Sequence, residues 1–237
     1  MRTLAIGDIH GNYYAMMEVL KLSKFDYEKD KLIVLGDIVD GFPYTYQVVE
    51  ELLKIKNLVF ILGNHDKWFK EFISYGMSPN IWLHQGGANT LKSYHSQLDM
   101  TSLESGSIVD ETKVDLLEVT IPVTHQEFFN TSKYYHKQDD MLFVHGGFDT
   151  TIEDMELQSK KDLVWDRSLI RYAKHNVIKG YKKVFVGHST TELIDGSTKP
   201  VILNNLYCLD CGAGHSGKLA IMDINTEEYW LSKKYER

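Results

Sequence analysis

Five short segments of the chain concentrate side chains able to hold cations. They are Gly7-Asp8-Ile9-His10-Gly11-Asn12, Gly36-Asp37-Ile38-Val39-Asp40-Gly41, Gly63-Asn64-His65-Asp66, His145-Gly146-Gly147 and Gly187-His188-Ser189. The donors are carboxylate and amide oxygens and imidazole nitrogens, with no thiolate needed. Such a mixed set suits Mn2+, Fe or Zn2+ rather than a structural zinc. Two ions held about 3.5–4 Å apart need a ligand common to both, and a carboxylate can bridge them. Taken singly, each segment has a plainer reading. An Asp at a strand end is most often a helix cap or turn former, and a lone His is a satisfied or solvated residue. All five in this order are not accounted for by capping.

The elements that must position these side chains are legible in the apolar pattern. Runs at residues 4–6, 32–35 and 58–62 read as short buried strands, each followed by Gly and then polar residues. Between them, Tyr13, Met16, Met17 and Leu20 recur at i, i+3, i+4 and i+7, while Val48, Leu52 and Ile55 follow Pro43 at i, i+4 and i+7. Both patterns predict helices. The order β-α-β-α-β implies right-handed crossovers and parallel strands. Their ends then share one sheet edge, where open α/β sheets place their sites. Asp8, Asp37 and Asn64 are therefore expected to converge. Runs at 141–144, 183–186, 201–203, 206–209, 218–224 and 228–231 read as late strands of a second sheet packed on the first, and 164–175 as partly helical. The stretch 77–138, with a Gly86-Gly87 pair and a polar run at 97–107, is expected to be a mostly helical flank or cap. The expected architecture is α/β: two packed β-sheets with helices outside, an αββα sandwich forming a single domain over residues 1–237.

Together the segments resemble the calcineurin-like metallophosphoesterase signature, D-x-H, G-D-x-x-D, G-N-H-[DE], H-G and G-H, over residues 3 to about 220. Trp82, Gly86-Gly87 and Tyr94, and also Trp165-Asp166-Arg167, are similar to stretches of bacterial and phage serine/threonine phosphatases of the lambda type. The diadenosine tetraphosphatases share the same segments. The resemblance implies that Asp8 and His10 hold one metal, that Asn64, His145 and His188 hold the other, and that Asp37 bridges them. A water shared by the two cations would be the nucleophile. It implies that His65 is the general acid and that Asp40 pairs with it, fixing its tautomer. It implies that Arg167 grips substrate phosphate with its guanidinium fork. The plainer readings are a turn residue for Asp40 and a helix-surface residue for Arg167. The implied cofactors are two divalent ions, Mn2+ with Fe or Zn2+ as alternatives. The implied reaction is hydrolysis of a phosphomonoester, phosphoserine or phosphothreonine on a protein. The alternative is a dinucleoside polyphosphate or other small phosphoester, and a non-catalytic scaffold binding a phosphorylated ligand is the most distant reading.

One departure stands out. The family's second segment reads G-D-x-V-D-R-G, and here Gly41 stands where the arginine belongs. Losing a charged hydrogen bond to an anion costs roughly 1.5–3 kcal/mol if nothing replaces it. Lys67 could substitute, although a solvated helix lysine is the plainer reading.

Composition narrows the partners. The 237-residue chain carries a formal charge of −7 with 43% hydrophobic and 25% charged residues. That acidic balance argues against nucleic-acid and anionic-membrane partners. A small anionic substrate stays open, because bound cations dominate the local field. Cys208 and Cys211 form a C-x-x-C with no second pair, and are expected to pack at a strand end in a reducing compartment. The N-terminal apolar stretch stops at Asp8, too soon for a signal peptide, and no run approaches the ~20 apolar residues of a membrane span. A cytoplasmic location is expected. His84, His95, His125, His136, His175 and His215 lack matching segments and read as surface or core residues. Of these, His215 lies in a Gly-rich turn that could approach the site.

Overall fold

Strand periodicity sorts the apolar residues into three layers. In a computed structural model, which describes residues 1–76, 79–95 and 119–236, two five-stranded sheets pack face to face. The first has the order β10-β9-β1-β2-β3, made of β1 (Thr3–Ile6), β2 (Lys31–Val34), β3 (Asn57–Phe60), β9 (Ala220–Asp223) and β10 (Tyr229–Leu231). The second has the order β4-β5-β6-β8-β7, made of β4 (Tyr135–Gln138), β5 (Met141–Val144), β6 (Lys183–Val186), β7 (Val201–Leu203) and β8 (Leu206–Cys208). Strands β1, β2 and β3 are parallel neighbours, as are β5, β6 and β8; the outer strands join antiparallel.

Alternate residues of each strand face opposite layers, as a period of two requires. Ala5, Ile33, Phe143, Phe185, Tyr207 and Met222 meet between the sheets. Leu4, Ile6, Leu32, Val34 and Phe60 point instead to the helices outside the first sheet. Leu142, Val144, Val184, Val186 and Cys208 point outward from the second. These faces are essentially dry, and full burial of one such aliphatic or aromatic side chain contributes about 1.5–3 kcal/mol. The chain is thus the expected αββα sandwich. Cys208 packs in the outer layer of the second sheet and Cys211 is buried just beyond it, both as free thiols. Burial pushes both thiols up to about 12.

Helix α1 (Tyr13–Leu22) is capped by Asn12, whose side chain accepts the Ala15 N–H at 3.1 Å, and it buries Met16, Val19 and Leu20. Helix α2 (Thr45–Leu52) ends three residues before Ile55, which is still buried. Helix α3 (Asn64–Tyr75) starts directly at the third candidate segment. Among the described residues, no helix is long and apolar enough to cross a membrane.

The stretch 77–138 is only partly helical where it is described. Asn80–Trp82 and a kinked turn at Leu83–Gly87, with Gln85 and Gly86 off helical geometry, lead into α4 (Ala88–Ser93), and α5 (Val123–Asn130) follows later. The polar run at 97–107 lies outside the described residues. The last part is β4, not helix. Its sequence, Tyr-His-Lys-Gln, has no apolar alternation because it is an edge strand. Its register comes from a two-residue turn to β5, in which Asp139 takes φ 54°, and from the ladder that pairs Gln138 with Met141.

Candidate metal centre

The loops after β1, β2, β3, β5 and β6 bring the five segments to one edge of the sandwich. Parallel strands emerge on the same side, so residues up to 180 positions apart become neighbours. Asp8 Oδ2 accepts the His188 N–H at 2.9 Å. Asp37 Oδ2 lies 3.8 Å from His10 Nε2 and 3.3 Å from His145 Nε2. His145 Nε2 lies 3.1 Å from Asn64 Oδ1. Asp8, His10, Asp37, Asn64, His145 and His188 thus form one connected set. Two groups overlapping it have their ligand-type atoms within 4.8 Å of one another: Asp37, His145 and His188, and Asp37, His10 and His65, the last lying outside the set of six. Asp37 belongs to both.

The histidine rings are aimed by backbone carbonyls, which can only accept. Leu35 O takes the Nδ1–H of His145 at 2.7 Å, Val39 O that of His10 at 3.0 Å, and Trp165 O the Nε2–H of His188 at 3.2 Å. The other ring nitrogens of His145 and His10 are thereby turned toward Asp37, the usual arrangement behind a metal ligand. Asp8 Oδ1 is buried and accepts no hydrogen bond from the described residues. A buried carboxylate oxygen without a partner is costly. Together with the mixed N/O donors around Asp37, it fits a divalent cation.

Burial and mutual charge polarise the cluster. Burial, then Asp210 and Asp37, holds the Asp8 carboxyl well above its usual range. Burial also pushes Asp37 up, but the charges of His145 and His65 outweigh it and hold that carboxyl well below its usual range. Burial lowers His10 and His188 to about 3, so both rings are neutral, as metal ligands must be. Burial opposes protonation of His65 too, yet Asp37 and Asp40 raise it to about 9. His145 is raised as well, burial opposing and Asp37 prevailing, so His65 and His145 lean toward the protonated form while His10 and His188 lean toward the neutral one.

His65 and Asp40 are brought together: His65 Nδ1 donates to Asp40 Oδ2 at 2.6 Å. Arg167 is exposed after α6 (Lys160–Trp165), with Nη2 3.4 Å from His188 O, so it stands at the rim on the His188 side. Lys67 is paired with Glu71 one turn along α3. His215 does approach the site: its ring lies 6.3 Å from that of His10, and the adjacent Gly214 packs directly on the His10 ring. Gly41 is no simple deletion. Its φ is 84°, and a Cβ there would sit 3.0 Å from His10 O and 3.1 Å from His10 Cβ. An arginine in this backbone would be strained.

Among the described residues, four of the eight non-glycine residues with positive φ belong to the site: His10, Asp37, Asp40 and His188. Each such backbone costs of order 1–3 kcal/mol and persists only when its surroundings hold it. Asp66 supplies much of that hold. Its carboxylate accepts the N–H groups of Asp37, Ile38, Val39 and Gly63 at 2.6, 2.9, 3.3 and 3.0 Å. Sequence reading quoted Asp66 within its segment without seeing this work. The available signal was its place as the third residue of α3, where a carboxylate reaches back to the cap. Asp210, buried beside Asp8, was also missed; burial raises it to about 6.

The family model described as calcineurin-like phosphoesterase matches residues 1–213. A symmetrical bis(5'-nucleosyl)-tetraphosphatase of Coxiella burnetii is 36% identical over 77 residues, 32% of this chain and 26% of the relative. The chain thus matches about a quarter of the length of such curated relatives. A solved structure described as that of a candidate diadenosine tetraphosphatase superposes with a TM-score of 0.64 at 14% identity, covering 100% of this chain and 95% of that one. The cold-active protein-tyrosine phosphatase of a Shewanella species gives 0.58 at 13% identity, covering 98% and 80%. At these identities the structural likeness speaks for the fold alone.

Proposed function

We propose that this chain, which belongs to the calcineurin-like phosphoesterase family, hydrolyses a phosphate bond at a dinuclear metal centre, with a dinucleoside polyphosphate as its substrate class. The observation that carries the metal reading is Asp37, a carboxylate common to two histidine-bearing groups. Asp8 and His10 would hold one ion, Asn64, His145 and His188 the other, with Asp37 between. When bound, two divalent ions neutralise phosphoryl oxygens and lower the pKa of water at the site.

The chain's own residues divide the remaining work. His65, protonated and held through Nδ1 by Asp40, presents Nε2 as the proton donor to the departing oxygen. The carboxylate keeps the tautomer and orientation fixed through the transfer. Arg167, at the rim, would bind a non-bridging phosphate oxygen with its fork. His215 stands on the His10 side of the site, its ring 6.3 Å from that of His10.

The substrate class is supported by the curated relatives, which are symmetrical tetraphosphatases at 36–42% identity over 67–77 residues. Gly41, in place of the family's arginine, removes a phosphate contact under either substrate reading and does not separate them. The test is turnover with added Mn2+ or Zn2+ of diadenosine tetraphosphate, a phosphothreonine peptide and p-nitrophenyl phosphate side by side. Preferred conversion of the tetraphosphate to ADP is expected. Preference for the peptide would overturn the substrate reading, and turnover in chelator at the same rate would overturn the metal reading.

A further inference from the structure

The groups that hold Asp40 come from outside all five candidate segments. Asp40, Trp82 and Thr90 are each completely buried. Thr90 Oγ1 donates to Asp40 Oδ1 at 2.7 Å and accepts the Asp40 backbone N–H at 2.8 Å. Trp82 Nε1 lies 3.1 Å from Oδ1 and 3.0 Å from Oδ2, shared between the two oxygens. His65 then takes the remaining direction at Oδ2. A carboxylate with a single partner can swing about its own bonds. One with a hydroxyl on one oxygen, an indole N–H across both and a third donor on the other has its plane defined.

The same stretch of chain closes on the backbone beside Asp40. Asn89 Nδ2 donates to Gly41 O at 2.6 Å. Gly86, at φ 105°, packs so tightly on the Gly41 N that no Cβ fits there. Asp40 itself holds a φ of 68°, which needs outside support to persist. The kink at Gln85 and Gly86 separates the turn bearing Trp82 from the helix bearing Thr90, and both side chains reach one carboxylate.

We infer that Thr90 and Trp82 are positioning residues for proton donation: they lock the Asp40 carboxylate, which in turn holds the His65 ring in one orientation. This rests on the reading of His65 as proton donor. Neither residue belongs to the proposed metal-ligand set, so their removal leaves the metals in place and acts through His65. Thr90→Val keeps the shape and loses both hydrogen bonds; Thr90→Ser keeps them. Trp82→Phe removes the indole N–H and serves as the second variant if Thr90→Val does not fold.

The experiment has two readouts on folded, metal-analysed protein. The first is the proton resonance of His65 Nδ1–H in the short bond to Asp40, assigned by its loss in His65→Asn. It is expected downfield in the wild type and in Thr90→Ser, and shifted or broadened away in Thr90→Val and Trp82→Phe. The second is kcat for phenyl phosphate against p-nitrophenyl phosphate. General acids contribute about 10²–10⁴-fold, most for poor leaving groups, so Thr90→Val should lose roughly tenfold or more on phenyl phosphate and about threefold or less on the nitrophenyl ester. An unchanged resonance together with equal losses on the two esters would overturn the inference while leaving His65 intact. A His65→Asn variant that itself shows equal losses would overturn the proton-donor reading and the inference with it.

Discussion

Asp66 Oδ2 accepts the backbone N–H of Asp37 at 2.6 Å, so one carboxylate holds in place the residue common to both candidate ligand groups. Its two oxygens accept four N–H groups in all, from the second and third candidate segments. Asp66→Asn turns one acceptor into a donor and leaves buried N–H groups without partners. Hydrogen bonds to a charged group are worth about 1.5–3 kcal/mol, so a loss of roughly 2–4 kcal/mol in unfolding free energy is expected. Urea denaturation at neutral pH measures it. A variant as stable as the wild type would show that the Asp37 backbone holds its φ of 48° unaided.

Asp37 is common to both groups, so its loss should be felt at both ions, unlike that of any outer ligand. Asp37→Asn is expected to lower metal content from two equivalents toward none after gel filtration, and to reduce turnover by about 10²-fold or more. His188→Ala should empty one position only. Two tightly held ions in Asp37→Asn would refute the shared role. Stripping the wild type with chelator and returning Mn2+ or Zn2+ should restore activity, which separates metal loss from misfolding.

Restoring an arginine at position 41 is expected to harm rather than help. The backbone there sits at φ 84°, with the Cβ position pressed against His10 and near Gly214 O. Left-handed backbone costs a bulky residue about 1–2 kcal/mol, before any displacement of His10. Gly41→Arg should therefore lower the melting temperature and weaken metal binding, without tightening inhibition by inorganic phosphate. Tighter phosphate inhibition at unchanged stability would show that the loop has room for the missing clamp.

Far from the site, Asp30 ties the start of β1 to the approach to β2. It accepts from Arg2 N, from Arg2 Nε at 3.2 Å and from Asp26 N at 3.1 Å. Burial opposes ionisation, but the Arg2 and Asp26 hydrogen bonds outweigh it and hold the carboxyl below its usual value. A depressed folded-state pKa means stabilisation that is complete above the unfolded-state value, about 3.9, and lost as pH falls through the folded-state one. Asp30→Asn should thus be less stable than the wild type from pH 5 to 7, with the gap closing below about pH 4. A gap constant down to pH 2.5 would mean that the ionised form is not what matters.

How much of this was legible follows from the range over which each rule acts. Strands β1, β2, β3, β5 and β6 were readable because apolar runs ending in Gly and a polar residue are local patterns. The handedness of crossovers then carried Asp8, Asp37 and Asn64 to one edge. The pairing of His65 with Asp40 came from the family resemblance. β4 escaped, because an edge strand needs no apolar face and takes its register from its neighbour. Thr90 and Asp210, and the hydrogen bonds made by Asp66 and Trp82, escaped for a related reason. Whether Thr90 touches Asp40, 50 residues away, depends on how the kinked turn at Leu83–Gly87 seats against the loop, and no spacing within the chain encodes that contact. Ligand chemistry is written in residue types at strand ends. The hydrogen bonds that hold strained backbone and aim the rings exist only once the layers have packed, because their partners are chosen by proximity in space.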